Sequence, residues 1–452
     1  KILAACGVPV RVWPRAPKYM SKKKIVYVGL SADIMHEGHI NILKTAKKYG
    51  TVVVGLLTDE AIASYKNIPH LDFKRRKIIV QNIKYVEKVI AQKTLDYVPN
   101  LNLIKPDFVV HGDDWKTGVQ KKTRERVIKT LKKWSGKLIE PKYTKNISST
   151  IIKNKIKQIG SIPQNRVSRL KRLMMSKNIV RILESHNYLT GLIIEKLKIT
   201  KKGMITEFDG MWSSSLTDSA TKGKPDNSSS FSSRISSLKD MMDVTTKPLV
   251  FDSDNGGEIK NLSFLVKSLE RSGVSAIIME DTIVTKKNSL FKDQKKTKQE
   301  NSALFAKKIK KVCKTRQSKD FFVIARIESF VLGKGLNDAL KRAEIYSKAG
   351  ADAILIHNKE KTPNQIFTFA KKFKNNKNFV PLVSVPSKYY KVDEKNLIKN
   401  GFKLVIYANQ LLRAAYPAME FVAKKILQNT GSFEIEKKII PIKKIINLIQ
   451  ND

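Results

Sequence analysis

The first third of the chain alternates short apolar runs with segments of helical periodicity. The apolar run Ile25–Leu30 is followed by helical spacing over His39–Lys48 and by the Val-rich run Thr51–Leu57. Strands that alternate with helices are typical of a parallel α/β sheet. The remaining elements predicted here are a helix at Asp72–Tyr85 and strands at Lys88–Ile90, Asp107–His111 and Leu138–Glu140.

The rest of the chain resumes the alternation with continuous apolar runs, which are typical of strands covered on both faces. Several of these runs end on a polar residue: Asp252, Glu280, Arg326 and His357. Ligands of parallel barrels bind at the carboxyl ends of the strands, so the pattern predicts a TIM-type (β/α) barrel. An open doubly wound sheet is the alternative. The predicted strands are Leu249–Asp252, Ala276–Met279, Phe322–Arg326, Ala353–His357, Leu382–Val385 and Leu404–Tyr407.

These patterns predict an α/β protein of two domains, a Rossmann-like domain at 20–160 and a barrel at 169–452. Residues 161–168 form the linker, since Gly and Pro in Gly160–Pro163 break helices. Residues 1–19 carry Pro9, Pro14 and Pro17 and precede Met20. We expect them to lie outside the fold as an extraneous leader.

Composition narrows the class of protein. The 452 residues are 41% hydrophobic, which excludes wholesale disorder. Lys and Arg total 87 against 40 Asp and Glu, a net charge of +47 that attracts polyanions. The lysines are scattered and no nucleic-acid-binding signature accompanies them, so we expect a composition bias and no specific nucleic-acid partner. Two cysteines without partner spacing, and no apolar run of about 18 residues, favour a cytoplasmic protein without a transmembrane segment.

Two histidines lie in the turn between the first strand and the first helix, in His36-Glu37-Gly38-His39. A helix N-terminus attracts phosphate, and histidines three residues apart project from the same side of that turn. Imidazole donors there stabilise charge that develops on a phosphate under attack. Ordinary surface histidines are the alternative, but only 6 histidines occur in the chain.

A hydroxyl-rich segment later in the same domain contains Ser148, Ser149 and Thr150. Hydroxyls that open a helix form a second phosphate cradle. An ordinary N-cap is the alternative, since Ser and Thr cap helices routinely.

Together these residues resemble the cytidylyltransferase family, close to glycerol-3-phosphate cytidylyltransferases, over residues 25–156. The matching elements are Asp33–His39, Lys44, Arg76, Gly112-Asp113-Asp114-Trp115, Ile147–Thr150 and Lys153. The resemblance implies transfer of CMP from CTP, as co-substrate, to a phosphate-type oxygen with Mg²⁺. It implies that His36 and His39 stabilise the transition state, and that the other site residues bind nucleotide and phosphates: Asp33, Lys44, Arg76, Asp113, Trp115, Ser148, Ser149 and Thr150.

The second half carries carboxylates at predicted strand ends. Asp252 and Asp254, with Glu280 after the next strand, have the oxygen ligands that Mg²⁺ prefers. Arg326 and His357 end further strands and suit an anionic, phosphorylated substrate. Taken singly, each of these residues is equally a cap or a partner in a structural ion pair.

This half resembles phosphoenolpyruvate mutases of the isocitrate lyase superfamily over residues 169–448. The matching runs are Glu184–Asn187, Trp212–Leu216, Asp252–Asp254, Glu280-Asp281, Lys286–Ser289, Ala325–Glu328, Gly350–Ala353, His357, Val385–Lys388 and Ala408–Ala414. The resemblance implies a phosphoryl shift that converts phosphoenolpyruvate to phosphonopyruvate. It implies that the metal is held by Asp252, Asp254 and Glu280, that the substrate is bound by Trp212, Ser214, Ser215, Leu216 and Lys286, and that Asp226, Asn288, Arg326 and His357 are catalytic.

The two resemblances together predict a bifunctional enzyme of phosphonate biosynthesis, a phosphomutase joined to a nucleotidyltransferase. Its substrates would be phosphoenolpyruvate or phosphonopyruvate in one domain, and CTP with a phosphonate or phosphate acceptor in the other. The family also implies a homo-oligomer, a dimer or tetramer through the barrel. Two alternatives stay open. The first is a phosphonopyruvate hydrolase or another member of the superfamily in the barrel, with a glycerol-3-phosphate-type cytidylyltransferase, and the second is a non-catalytic anion-binding protein.

Overall fold

The computed structural model describes residues 23–116, 120–142, 163–201, 204–283 and 297–449, and these form two compact units. The first unit contains the described residues up to Thr58 and those from His70 to 142. The second contains Asp59–Pro69 and the described residues from Pro163 onward.

The first unit is a five-stranded parallel sheet covered by helices. Its strands are β1 (Ile25–Leu30), β2 (Thr51–Leu57), β3 (Lys88–Gln92), β4 (Phe108–Val110) and β5 (Lys137–Ile139). Its helices are α1 (Glu37–Lys47), α3 (Phe73–Gln81), α4 (Val98–Ile104) and α5 (Lys121–Leu131), with short 3₁₀ turns at Asp113–Lys116 and Lys132–Trp134. This confirms the predicted Rossmann-like architecture.

The strand order of this sheet is β3-β2-β1-β4-β5. The chain builds outward from β1 in one direction and then returns to its other side at β4, so the order reverses between β1 and β4. In open parallel sheets, ligands bind outside the carboxyl ends of the strands at such a reversal. The fold therefore places a crevice between the segments that follow β1 and β4.

The second unit is a closed barrel of eight parallel strands, which confirms the predicted TIM-type fold. The strands are β6 (Val180–Glu184), β9 (Gly210–Ser213), β10 (Leu249–Asp252), β11 (Ala276–Glu280), β12 (Phe322–Ile327), β13 (Ala353–Ile356), β14 (Leu382–Ser384) and β15 (Phe402–Tyr407). A two-stranded antiparallel hairpin, β7 (Ile199–Lys201) and β8 (Met204–Thr206), lies between the first two of them.

Two helices of this unit precede the barrel strands in the chain, and the others follow them. The helices are α2 (Asp59–Ala63), α6 (Pro163–Ser176), α7 (Tyr188–Lys196), α8 (Ser215–Thr221), α9 (Phe231–Asp243), α10 (Leu262–Arg271), α11 (Ser302–Thr315), α12 (Gly335–Lys348), α13 (Asn364–Phe373), α14 (Glu394–Lys399), α15 (Gln410–Asn429), α16 (Phe433–Glu436) and α17 (Ile442–Ile449). None of the helices in the described ranges is long and apolar enough to span a membrane.

Six of the eight barrel strands were predicted, and β6 and β9 were not. The charged Arg181 interrupts the apolar run of β6, and β9 is four residues long and begins and ends on Gly210 and Ser213. Both strands complete the barrel, since β6 pairs with β15 and with β9, and β9 pairs with β10.

Successive residues of each strand face alternately into the barrel and out toward the helices. Val180 and Ile182 belong to the inner apolar cluster, which also contains Val250, Ala276 and Ile278, whereas Leu183 packs in the outer cluster with the helices. Two residues further along the inner face, the strands change from apolar to polar. That change locates the barrel's site at the carboxyl ends.

Candidate functional sites

The two predicted histidines lie together at the start of α1. His36 is the N-cap residue, and its Nδ1 accepts a hydrogen bond from the backbone N–H of Gly38 at 3.2 Å. His39 Nδ1 accepts from the backbone N–H of His36 at 3.4 Å, and the ring centroids are 4.0 Å apart. These bonds form a capping box in which histidines take the places usually held by Ser and Glu.

The capping bonds determine which nitrogen of each ring carries the proton. Because Nδ1 accepts in both rings, the neutral tautomer has its hydrogen on Nε2. Burial lowers the pKa of His36, and the charge of Glu37 opposes this shift only in part, so the neutral form is favoured. The cap thus orients two Nε2–H donors at a helix N-terminus.

Asp33 and Arg76 fasten the loops around these histidines. Asp33 is buried, and its Oδ1 accepts from the backbone N–H of His70 at 2.5 Å. The Arg76 guanidinium is fully buried and donates to three backbone carbonyls, those of Ser31, Leu57 and Leu71. Both side chains therefore bind the loops that follow β1 and β2. The predicted role of Arg76 in holding a phosphate stays a prediction.

The segment after β4 supplies the other wall of the crevice. Trp115 is buried, its Nε1 donates to Glu140 at 2.7 Å, and the ring of His111 stacks on it at 3.9 Å. Arg124 donates two hydrogen bonds of 2.8 Å to Glu140 and lowers the pKa of that carboxyl to about 2. The aromatic pair is thereby locked, with His111 on one face of Trp115.

The structure gives less information on the other residues that were predicted to bind the nucleotide. Lys44 is exposed on α1, less than two turns after His39. Asp113 begins the 3₁₀ turn after β4, and its backbone N–H donates to Pro141. Ser148, Ser149 and Thr150 lie outside the described residues. The structure thus brings the histidine pair and the segment containing Asp113 and Trp115 to neighbouring strand ends.

In the barrel, the last inward-facing residue of each strand or of the loop just after it contributes to a ring at the carboxyl ends. The ring residues on six neighbouring strands are Glu184, Trp212, Asp252, Glu280, Arg326 and His357, and all are buried. Their order follows from the strand order β6-β9-β10-β11-β12-β13. Five of the six were predicted as site residues, and the barrel brings those five together.

Arg326 is the cation of this ring. Its Nε donates to Glu328 at 2.5 Å and lies 3.6 Å from Glu280, its register partner on β11. Burial opposes the charged form, but the two carboxylates raise the pKa of the guanidinium above its usual value. Arg326 and Glu328 therefore form an ion pair, and it orients the guanidinium beside Glu280.

Asp252 and Asp254 occupy the turn after β10. The backbone N–H of Asp254 donates to Asp252 Oδ1 at 3.2 Å. Asp254 Oδ1 accepts from Ser215 Oγ at 2.8 Å, and the buried Arg234 approaches its other oxygen at 3.8 Å. Asp254 has a left-handed backbone, at φ 50°, which a residue other than Gly keeps only where its surroundings enforce it.

Trp212 to Leu216 connect β9 to α8. Trp212 ends the inner apolar cluster, while Ser214 is the N-cap of α8 and Ser215 its first residue. Ser214 and Ser215 are buried and Leu216 is half-buried. Free backbone N–H groups at a helix start are suited to an anionic oxygen. This segment is therefore placed to hold one end of a substrate.

The predicted catalytic residues of the barrel are placed in part. His357 is buried at the end of β13, next to β12 with Arg326. Asp226 is half-buried in the loop between α8 and α9, beside Asn227, whose amide, oriented to donate, reaches Asp254 at 2.9 Å. Lys286 and Asn288 lie outside the described residues.

The ring residues fit a hydrated divalent cation. In the described residues no three His, Cys, Asp or Glu side chains converge as a metal-binding group. Mg²⁺ is commonly bound through one or two carboxylates and retains several waters, with substrate oxygens completing its shell. The buried carboxylates of Asp252 and Glu280 outnumber the guanidinium of Arg326, and such a cation would balance the excess negative charge.

Sequence reasoning assigned no role to Glu184 or Arg234. Glu184 ends β6 as Asp252 ends β10, and the signal was an apolar run closed by a carboxylate, masked by Arg181 within it. Arg234 is buried under the site on α9, 4.3 Å from the ring centroid of Phe251. It stands in a Ser-rich segment that reads as a linker, so no pattern pointed to it.

Comparison with known proteins finds relatives for both units of the chain. The family model for phosphoenolpyruvate phosphomutase matches residues 170–427, and the cytidylyltransferase-like model matches residues 27–155. The chain is 37% identical over 291 residues to phosphoenolpyruvate phosphomutase of Tetrahymena pyriformis, which spans 64% of this chain and 92% of that protein.

Two further relatives are informative. Ethanolamine-phosphate cytidylyltransferase of Dictyostelium discoideum is 39% identical over 136 residues, which cover 29% of this chain and 36% of that protein. The crystal structure of a phosphonopyruvate hydrolase in complex with oxalate and Mg²⁺ is 31% identical, with a TM-score of 0.55, and covers 64% of this chain and 94% of that one.

The family match spans more than half of the chain and includes every barrel strand and the whole ring. The match to cytidylyltransferase-like proteins spans the five-stranded sheet and the histidine pair. The chain therefore belongs to the phosphoenolpyruvate phosphomutase family, and it is an enzyme that joins a mutase barrel to a cytidylyltransferase-like nucleotidyltransferase domain.

Proposed function

We propose that this chain is a bifunctional enzyme of phosphonate biosynthesis. The barrel interconverts phosphoenolpyruvate and phosphonopyruvate, and the first unit transfers CMP from CTP to a small phosphonate or phosphate monoester. The observation that carries the first activity is the ring of Asp252, Glu280, Arg326 and His357 at the barrel's carboxyl end. The fusion has a chemical logic, because formation of the carbon–phosphorus bond is unfavourable and later steps must consume its product.

In the barrel reaction, the phosphorus–oxygen bond of phosphoenolpyruvate breaks and leaves the pyruvate enolate. A phosphorus–carbon bond then forms at the methylene carbon of that enolate, with no net gain or loss of a proton. Arg326 and His357 would stabilise the phosphoryl group in transit, and the segment Trp212–Leu216 would hold the pyruvate part. Asp252, Asp254 and Glu280 would hold Mg²⁺, which when bound would supply positive charge next to the enolate oxygen.

Phosphonopyruvate hydrolysis is the competing barrel reaction, supported by the similarity to a hydrolase structure. The two reactions differ in whether water reaches the phosphoryl group before the enolate carbon does. The buried ring favours a dry site and so the mutase. The roles that the resemblance implies for Lys286 in substrate binding and for Asn288 in catalysis belong to this proposal.

The test is phosphorus NMR of the full chain with Mg²⁺ and phosphonopyruvate, because equilibrium favours phosphoenolpyruvate. We expect a phosphoenolpyruvate signal that falls by about 10²-fold or more in Asp252→Asn, as for other lost electrostatic groups at active sites. Glu125→Gln, a change at an exposed position on α5 of the other unit, serves as the control and should be silent. Appearance of inorganic phosphate and pyruvate would instead identify a hydrolase.

For the first unit, the two Nε2–H donors of His36 and His39 support nucleotidyl transfer. The α-phosphate of CTP would be attacked by an acceptor oxygen with release of pyrophosphate, and the donors would stabilise the negative charge on the phosphate oxygens. The acceptor we propose is 2-aminoethylphosphonate. It is the carbon–phosphorus counterpart of ethanolamine phosphate, the substrate in the name of one relative.

This activity is tested by pyrophosphate release from CTP with three acceptors: 2-aminoethylphosphonate, ethanolamine phosphate and glycerol 3-phosphate. We expect the phosphonate to be used best, and His39→Asn to reduce turnover by about 10²–10³-fold without changing the phosphonopyruvate reaction. Preference for glycerol 3-phosphate would contradict the biosynthetic proposal. Lack of turnover at both sites would favour the non-catalytic anion-binding alternative.

We also propose that the barrel forms homo-oligomers through its C-terminal helices. Helix α15 is 20 residues long, yet none of its residues is buried, and its exposed apolar side chains include Tyr416, Met419 and Leu427. Phe433 and Ile442, on the two helices that follow, are also more than 70% exposed. Apolar area of this extent is typical of a protein interface, and a second copy of the chain is the partner we propose.

A further inference from the structure

Glu184 lies on the inner face of the barrel, and one of its carboxylate oxygens has no hydrogen-bond partner among the described residues. Val180 and Ile182 precede it at alternate positions of β6 and belong to the inner apolar cluster, so alternation directs Glu184 inward. Its side chain is fully buried at the carboxyl end of the strand. It therefore shares the ring that contains Asp252 and Glu280.

Only one of the two oxygens of Glu184 has a partner within the described ranges. Oε1 is 2.8 Å from Nδ1 of His186, which is itself almost fully buried, so the imidazole clamps the carboxylate on one side. Oε2 is buried without a hydrogen-bond partner in that part of the chain. A buried acceptor that is left unpaired costs free energy, so such an atom in a native site marks the place of a missing donor.

A second unpaired atom lies on the next strand. Trp212 on β9 is the register partner of Glu184, and its Nε1–H is also buried without a partner among the described residues. One strand thus presents an acceptor and its neighbour a donor, both at the level of the ring. This pairing indicates that a bound molecule or ion, with its own waters, completes both hydrogen bonds.

The charge of the ring indicates what the missing donor is. Glu184, Asp252 and Glu280 are all carboxylates, and Arg326 is already engaged by Glu328 and Glu280. A donor that also carries positive charge satisfies Oε2 better than a neutral group. The waters of a hydrated divalent cation meet this need, since carboxylates outside the first coordination sphere commonly bind them.

We propose that Glu184, clamped by His186, is a positioning residue of the barrel's metal site and accepts a hydrogen bond from a water bound to the cation. Trp212 Nε1 then donates to an oxygen of the substrate. This inference rests on the proposed function, because it needs the cation at Asp252 and Glu280. It means that Glu184 on β6 helps to hold the cation, together with the carboxylates at the ends of β10 and β11.

The test measures the affinity of the full chain for Mn²⁺ without substrate. Electron paramagnetic resonance reports the Mn²⁺ that stays free in solution. We expect Glu184→Gln, which keeps the shape and removes the charge, to weaken Mn²⁺ affinity by about 10–100-fold. Asp252→Asn should abolish binding at the same site. Glu125→Gln, the same change at an exposed position on α5, should bind as the wild type does.

The outcomes separate this inference from the proposed function. If the wild type binds no Mn²⁺, or if Asp252→Asn leaves its binding unchanged, the proposed metal site is wrong. The role of Glu184 is then wrong as well. If the wild type binds and Glu184→Gln is unchanged, only the role of Glu184 is overturned, and a trapped water then occupies the gap. Reduced affinity in a folded Glu184→Gln supports the proposal.

Three further variants provide the test if Glu184→Gln does not fold, as judged by circular dichroism. Glu184→Asp retains the charge but withdraws the oxygen, so it should also weaken Mn²⁺ binding. His186→Asn retains a donor for Oε1 and should bind within about threefold of the wild type, whereas His186→Leu should resemble Glu184→Gln. Unchanged affinity in a folded Glu184→Asp would overturn the proposal.

Discussion

At the scale of single residues, the side chain of Arg76 is compatible with two different roles. The motif resemblance predicts a phosphate ligand, whereas the structure shows its guanidinium spread over the carbonyls of Ser31, Leu57 and Leu71. Five fixed donors suit a carboxylate, a phosphate or several carbonyls equally well. Residue identity alone cannot choose between them, because the choice depends on which loops the fold brings near.

We predict that Arg76→Ala destabilises the first unit by about 2–4 kcal/mol, because it removes the buried donor of three backbone carbonyls, among them the buried carbonyl of Leu57. Scanning calorimetry of the full chain measures the loss, and hydrogen exchange should quicken in the loops after β1 and β2. The neighbouring Arg75 is the matched control. Its side chain is 70% exposed, so Arg75→Ala should change stability by less than about 0.5 kcal/mol. Equal effects of the two changes would contradict the prediction.

The candidate sites were predictable at this scale where chemistry coincides with a strand end. Asp252, Glu280, Arg326 and His357 each close an apolar run, so their positions follow from alternation and burial. Glu184 was not predicted as a site residue, because the charged Arg181 interrupts the apolar run of its strand. The stacking of His111 on Trp115 escaped for another reason, since it depends on a turn whose geometry no periodicity encodes.

At the scale of elements, the predicted strands are those with continuous apolar runs, and the strand that was missed most completely is β9. Gly210 opens it, and a Cβ there would come within 2.8 Å of the carbonyl oxygen of Pro248 and 2.6 Å of Ile182. A close backbone approach therefore selects glycine at a position where β-propensity argues against a strand. Propensity is local, whereas this constraint comes from the neighbouring strand and the loop before β10.

We predict that Gly210→Ala destabilises the barrel by about 1–3 kcal/mol, because the added methyl group has no room against backbone. The unfolding temperature of the full chain should fall accordingly. Gly431 is the matched control, since a Cβ there meets nothing closer than 3.8 Å. A Gly210→Ala protein as stable as Gly431→Ala would show that β9 and its neighbours move apart at little cost.

At the scale of the whole molecule, the net charge of the chain and the charge of the barrel's ring have opposite signs. The chain carries a net charge of +47, yet the barrel's ring holds three carboxylates against one guanidinium. A buried excess of one sign in a chain of the opposite sign marks a site that uses a counterion, and total charge alone does not reveal it. Fold class, by contrast, was predictable at this scale, because alternation and run length suffice for it.

We predict that Leu427→Glu weakens association of the protein, since this side chain is 80% exposed on an apolar helix. Light scattering after size exclusion should show a lower mass than for the wild type at equal concentration. Leu103→Glu adds the same charge at a side chain that is 79% exposed on α4 of the other unit, and it should leave the mass unchanged. A monomeric wild type, or no difference between the variants, would contradict the oligomer.

The alternation along the barrel strands has an evolutionary consequence. Inner apolar residues such as Val180 and Ile182 hold the strands together, and only the next inward position reaches the chemistry. Selection can therefore rewrite the reaction by exchanging a few terminal residues without redesigning the scaffold. The same separation implies a trade-off, because buried like charges oppose folding. Substitutions that neutralise the ring would therefore stabilise the protein, and selection would remove them only because turnover is lost.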